Sequence, residues 1–279
     1  MPATELTFGV TLAVLGAGLL HAGWNALVKA SRDKQLDTIA VAIGSGLVAL
    51  LVAPWLPQPS VQSLPWLAAS ALVHILYFIL LAGAYRWGEL SYAYPVMRGG
   101  GPMVVALAGG LAFGEILATR QWASIALICA GILALAAGSH DRRATYFAVG
   151  NAAVIAAYTL IDAQGARVSG APVSYTLWFF AVNGIVIGGM GLLQRGRELP
   201  AYYRRNWLLA SLGGLFAVAS YSIALWAMTR APVALVAVLR ETSVIFAALF
   251  GALFLGEKFT RRRLVATGTV LAGLVTLRL

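Results

Sequence analysis

The sequence predicts an all-α integral membrane protein whose ten transmembrane helices form two inverted five-helix repeats. Three observations carry this. The 279 residues are 60% hydrophobic and only 11% charged, with a mean hydropathy of +0.83, far above a soluble domain. Apolar stretches of about 20 residues, the length that crosses a bilayer core, recur from end to end. The second half also repeats features of the first at a constant offset.

The spans are expected near residues 6–28, 37–56, 64–85, 90–113, 119–138, 145–165, 172–193, 207–229, 232–255 and 261–278. The breaks between them, such as "PQPSVQSLP", "RVSGAP" and "TRAP", hold the proline, glycine and charge that interrupt apolar helices. The first span lacks a basic leader and is dotted with glycine, so it reads as a span and not as a cleaved signal. The longest polar stretch, Gln194 to Asn206, leaves no room for a soluble domain. The single cysteine, Cys129, lies in an apolar run, which removes disulfide and thiolate-metal chemistry from consideration.

A net charge of +10 raises the question of nucleic acid, and the positions of the charges answer it. Loops after odd-numbered spans, including "SRDKQLD", "SHDRRA", "QRGRELPAYYRRN" and "GEKFTRRR", hold 14 of the 20 basic residues. Loops after even-numbered spans, with the tails, hold Arg120, Arg167, Arg230 and Arg278. Basic loops stay in the cytoplasm, so both termini are expected outside and the basic excess is topological. No nucleic-acid partner is expected. The surroundings are the lipid bilayer, and the expected location is the inner (plasma) membrane.

Laying "RWGELSYAYPVMRGGGPM" over "MTRAPVALVAVLRETSVI" at a shift of 142 residues matches Val96 to Val238 and Arg98 to Arg240. The register continues without a gap through Gly109/Gly251, Gly114/Gly256, Glu115/Glu257, Arg120/Arg262 and Gly131/Gly273. Residues 1–139 and 140–279 therefore read as two copies. Five spans per copy is an odd number, so the second enters from the opposite side. That inverted plan is the architecture of secondary transporters, which place their substrate site between the halves.

Ten spans in two halves, each with a Gly-Glu pair after its fourth span, resemble the EamA-type branch of the drug/metabolite transporter superfamily. The resemblance covers essentially the whole chain, although no gapless match precedes residue 83. It implies similarity to exporters of amino acids and other small metabolites. It also implies a central cavity lined mainly by spans 1, 3, 4, 6, 8 and 9. Gly114-Glu115 and Gly256-Glu257 carry over as helix-end elements and not as substrate ligands.

Two arginines and a glutamate lie deep in spans. Arg240 is about 12 Å into span nine at 1.5 Å per residue, next to Glu241, and Arg98 is equally deep in span four. Such groups cost at least ~2.5 kcal/mol each in a bilayer and face a bundle interior or a wet cavity. Neighbouring residues point about 100° apart, so Arg240 and Glu241 need partners elsewhere. Either the three line the cavity, or Arg240 pairs locally while Arg98 caps the carbonyls of a broken helix. "YPVMRGGGPM" predicts a kink in span four, or else glycines that admit a close neighbour.

The remaining candidates are polar and aromatic. Span three sets His74, Tyr77, Phe78, Leu81 and Tyr85 on one stripe. His74 reads either as a proton carrier or as a satisfied core histidine. His21, Trp24 and Asn25 share one face of span one, where His21 and Asn25 suit a gate or a cap. Tyr94 precedes Arg98 by one turn, Tyr158 precedes Asp162 by one turn, and Tyr221 lies in span eight. Asp162 itself is expected near the outer interface, as a solvated helix end. The substrate-binding set is thus Arg98, Arg240, Glu241, His74, Tyr77, Tyr94, Trp24, Tyr158 and Tyr221, and the coupling or gating set is Glu241, His74, His21 and Asn25.

No metal-ligand spacing, phosphate loop or nucleophile elbow is present, so no enzyme, metal or cofactor is expected. The reading is a secondary exporter of small polar metabolites, amino acids or related zwitterions, working by alternating access. A channel or receptor is the alternative, and an intramembrane transferase a weaker one. Topology gives the first test. A periplasmic phosphatase fused to the C-terminus is expected to be active and a fluorescent cytoplasmic reporter dark, and the opposite pattern refutes the assignment.

Overall fold

The computed structural model describes residues 6–30, 33–136, 138, 140–255 and 260–278. Gly256-Glu257 and Lys258 lie outside them. Eleven α-helices run through the described residues, in chain order α1 Phe8–Ala30, α2 Lys34–Val52, α3 Leu64–Trp87, α4 Leu90–Phe113, α5 Thr119–Leu133 and α6 Arg142–Ser169. They continue as α7 Pro172–Arg195, α8 Glu198–Met228, α9 Val233–Arg240, α10 Ser243–Leu255 and α11 Arg261–Arg278.

Eight segments are long and apolar enough to cross a membrane, and α9 with α10 makes one of them, Val233–Leu253. Helix α5 is apolar but has only 15 residues. Helix α11 begins with Arg261, Arg262 and Arg263, which dilute its apolar character. These two pack on each other. Leucines such as Leu51, Leu72, Leu111 and Leu193 stand exposed on the outside of the bundle, as lipid-facing side chains do.

The start of α8 and the place of an interruption differ from expectation. Helix α8 starts at Glu198, inside the stretch expected to be a loop. Its backbone leaves helical geometry only at Asn206, φ −116° and ψ 16°. The segment before this kink is amphipathic: Leu199 is buried and Tyr202 donates to Asp37 at 2.7 Å. Helix α4 continues through Pro95 and Pro102, and side-chain Cβ atoms at Gly99 and Gly100 would meet Leu133 and Ala152. The glycines thus serve close approach. The interruption falls in the other half, at Glu241-Thr242.

Helix partners follow a pattern. Helix α3 packs on α6 and α1 on α8; α4 packs on α6 and α1 on α9 and α10. Two further contacts, α4 with α9 and α5 with α11, join segments matched in the offset, and α2 with α7 joins the second spans of the expected halves. Without a hydrophobic drive between helices in lipid, such contacts rely on small residues and hydrogen bonds. Ser220 Oγ donates to Ala17 O at 2.7 Å and Ser124 Oγ to Gly273 O at 2.7 Å. Where α2 meets α8, Gly44 faces the Ala210 carbonyl and Gly214 faces the backbone of Gly44 and Ser45.

One end of the bundle is tied by ions. Arg195 reaches Asp33 at 2.7 Å and Glu198 at 3.0 Å. The Leu36 amide, followed by Arg195, holds the Asp33 carboxyl below the ordinary carboxylate range. Its contribution is therefore present at neutral pH and lost as pH falls through the depressed value.

The packing gives a direct test. Gly214→Ala places a methyl against backbone that cannot turn aside and is expected to cost about 1–3 kcal/mol, the range for overpacking. Gly268→Ala, with nothing near its Cβ position, should leave thermal unfolding in detergent unchanged. Equal melting of both variants would refute the close approach of α2 and α8.

Candidate functional site

Helix α9 is one short, fully packed rod. Val233 to Leu239 are all buried, and its N-terminus is satisfied from another helix. The Val233 amide donates to both Glu115 carboxylate oxygens, at 3.0 and 2.9 Å. Gly114, with φ 65°, ends α4 in the left-handed turn that glycine favours, and so points Glu115 at α9. Arg167 joins from α6, binding Glu115 at 2.8 Å and the Met228 carbonyl at 3.0 Å. Glu115 is thus a brace between helix ends, built by the Gly-Glu motif.

At its other end α9 tightens into a 3-10-like turn, in which Glu241 and Thr242 amides donate to Val238 and Leu239 carbonyls. This aims Glu241 at α4, where its Oε1 meets an Arg98 terminal nitrogen at 3.0 Å. The side chains are only 6% and 12% exposed. Arg98 Nε, Glu241 Oε2 and Thr242 Oγ1 are buried and make no hydrogen bond. Arg98 therefore does not cap a broken helix, because α4 is unbroken, and it takes the carboxylate instead. Arg240 has no carboxylate partner among the described residues. Its guanidinium lies over the Tyr221 ring, 5.0 Å from the centroid, a cation–π contact.

The other predicted residues gather around this set. His21 lies within electrostatic reach of both Arg98 and Arg240. Trp24 donates to its Nδ1 at 3.3 Å, and Asn25 turns back to the His21 carbonyl at 2.8 Å, which makes Asn25 a local cap. Tyr77, Tyr94 and Tyr158 are in electrostatic reach of Arg98. His74 packs on Tyr158 at 4.2 Å, on Phe179 at 4.7 Å and on Tyr77 at 6.2 Å. Helices α1, α3, α4, α6, α8 and α9 thus contribute to one polar interior. A void of about 150 Å³ lies elsewhere, lined by Val244, Ile245, Arg263, Ala266 and neighbours, and contains none of these residues.

Asp162 corrects the sequence reading. It is not a solvated helix end but completely buried. Helix α6 extends to Ser169, seven residues beyond it, which carries the position into the bundle. Tyr175 donates to Oδ1 at 3.0 Å and Tyr221 to Oδ2 at 2.6 Å. Tyr175 and Arg167, both unselected from the sequence, are what the local pattern could not show: their partners lie 13 and 52 positions away in other segments.

Comparison with known proteins follows this geometry. The description "EamA-like transporter family" matches residues 143–279. An "Uncharacterized transporter in cobO 3'region" from Sinorhizobium sp is 31% identical over 102 residues, which are 37% of this chain and 70% of that protein. The chain belongs to the EamA-like transporter family. This places it in the drug/metabolite transporter superfamily, as a multi-pass membrane transporter. A solved structure titled "Crystal structure of protein" is 19% identical, covers 96% of both chains and superposes with a TM-score of 0.74, a likeness of fold.

In this EamA-like transporter the ion pair sets a stability test. Removing one member of a buried pair strands the other and costs about 3–5 kcal/mol. Arg98→Gln and Glu241→Gln are each expected to lower the unfolding temperature in detergent, and the double variant to recover most of the loss. Additive losses would show that the two groups do not interact.

Proposed function

We propose that this transporter exports small polar metabolites, with amino acids and related zwitterions as the substrate class, by alternating access between two inverted five-helix repeats, residues 1–139 and 140–279, in the inner membrane. The observation that carries the reading is the Arg98–Glu241 pair with its unused Nε and Oε2 atoms, beside an Arg240 whose guanidinium lies over the Tyr221 ring. A substrate carboxylate can take the arginines and its ammonium can take Glu241, so the incoming zwitterion replaces the contacts it breaks. Phe179 and Tyr221, 5.7 Å apart, with Trp24 and Tyr158, would flank an apolar side chain. The matched helix partners, α3–α6 with α1–α8 and α4–α6 with α1–α9/α10, support the inverted repeat. Outward transport follows from resemblance to family exporters.

The experiment is exchange of a panel of radiolabelled amino acids across proteoliposomes, with and without a pH gradient. Arg240→Lys keeps the charge but not the planar fork. It is expected to weaken half-saturation for the transported amino acid about 10- to 100-fold, the worth of a charged hydrogen bond. Unaltered affinity in Arg240→Lys and Arg240→Ala, both eluting as single species, would make Arg240 structural. No exchange of any amino acid by the wild type would refute the substrate class.

A further inference from the structure

We propose that Asp162 is a proton-binding site of this transporter and that Tyr221 links its protonation to the arginine site. Asp162 is completely buried and binds no cation directly among the described residues. Its carboxylate is instead held by neutral donors, the Tyr175 hydroxyl at 3.0 Å and the Tyr221 hydroxyl at 2.6 Å. A structural carboxylate in lipid would normally be neutralised by an arginine or lysine. One satisfied by tyrosines and facing a histidine can exist either charged or neutral.

Titratable groups face Asp162 from several helices. Helix α3 brings His74, α7 brings Tyr175 and α8 brings Tyr221, while α6 itself adds Tyr158. Helices α4 and α9 bring Arg98 and Arg240, which reach the cluster through Tyr158 and Tyr221. His74 Nδ1 lies 2.9 Å from the Ser70 carbonyl, which can only accept. The ring hydrogen is therefore on Nδ1, and Nε2 is the atom free to receive a proton.

The chemistry of the switch follows from hydrogen-bond counting. An ionised carboxylate accepts from both tyrosines. When one oxygen takes a proton from water on one side of the membrane, that oxygen becomes a donor and a weaker acceptor, so the tyrosine aimed at it loses its charge-assisted hydrogen bond and is freer to turn its hydroxyl or withdraw. Tyr221 is the tyrosine that matters, because its hydroxyl serves Asp162 and its ring carries Arg240. Release of the same proton to the other side restores the first arrangement. Electrically, Asp162 and Glu241 together balance Arg98 and Arg240, and protonation leaves the interior with one excess positive charge for a carboxylate. The use of this step to drive transport rests on the reading above, but the protonation does not.

The test therefore needs no substrate. Infrared difference spectra of the purified protein in lipid, stepped from mildly alkaline to mildly acidic pH, should show a carboxylic-acid carbonyl band. The band is expected to vanish in Asp162→Asn, return at a different frequency in Asp162→Glu, and persist in Glu241→Gln. A wild type without the band, or a band unaffected by Asp162→Asn, overturns the site. The link is read from the midpoint of the band. Arg240→Gln should move that midpoint in the wild-type background and have no effect in a Tyr221→Phe background. No shift in the first, or an equal shift in both, overturns the relay.

Discussion

A guanidinium and a carboxylate 3.0 Å apart inside a lipid-embedded bundle constrain everything around them. Neither is affordable alone there, so α4 and the α9–α10 segment must lie face to face at that depth. This requirement explains the interruption at Glu241-Thr242: a helix continued without the tight turn would aim residue 241 elsewhere. It also explains why α4 carries glycines where α5 and α6 approach, since the helix bearing Arg98 cannot stand off from its neighbours. The pair breaks the repeat as well. Arg98 corresponds to Arg240, but Glu241 corresponds to Gly99, so two arginines meet one acid and a positive charge is left over.

The surplus is met indirectly. Arg240 rests on Tyr221, and Tyr221 donates to Asp162, so the second acid lies one aromatic ring away from the second base. Long, polarizable links of this kind are weaker than a direct ion pair and correspondingly easier to rearrange. The ends of the bundle are built differently. Arg195 with Asp33 and Glu198 at one end, and Glu115 with Arg167 and the α9 amide at the other, are multivalent ties at helix termini. A rigid periphery around a loosely coupled centre is a physical basis for a site that changes occupancy without losing the fold.

The all-helical, membrane-spanning architecture was legible in the sequence because apolar length is a long-range average. The start of α4 at Leu90, of α7 at Pro172 and of α11 at Arg261 coincide with the expected spans, since proline and charge punctuate them. The outlying positions of Arg98, Glu241 and His74 were visible as ionisable residues in apolar runs. Asp162 was misjudged because its depth depends on how far α6 continues, and helix ends are poorly set by local pattern. The identity of the partners was beyond reach: that Glu241 takes Arg98 and not Arg240 is decided by packing of α9 on α4. At "YPVMRGGGPM", which offered either a kink or close approach, the neighbouring helices use the glycines for close approach.

The order of synthesis gives the ion pair a second significance. Arg98 emerges from the ribosome 143 residues before Glu241. At about 5–20 residues per second, the guanidinium spends roughly 7–30 s at or in the membrane before its counter-charge exists. Helix α4, burdened by a bare cation worth ~2.5–3.5 kcal/mol against insertion, must therefore be held by its early neighbours α3 and α5, or wait at the translocon. Until Glu241 is made, the nascent first half is an unfinished electrostatic object.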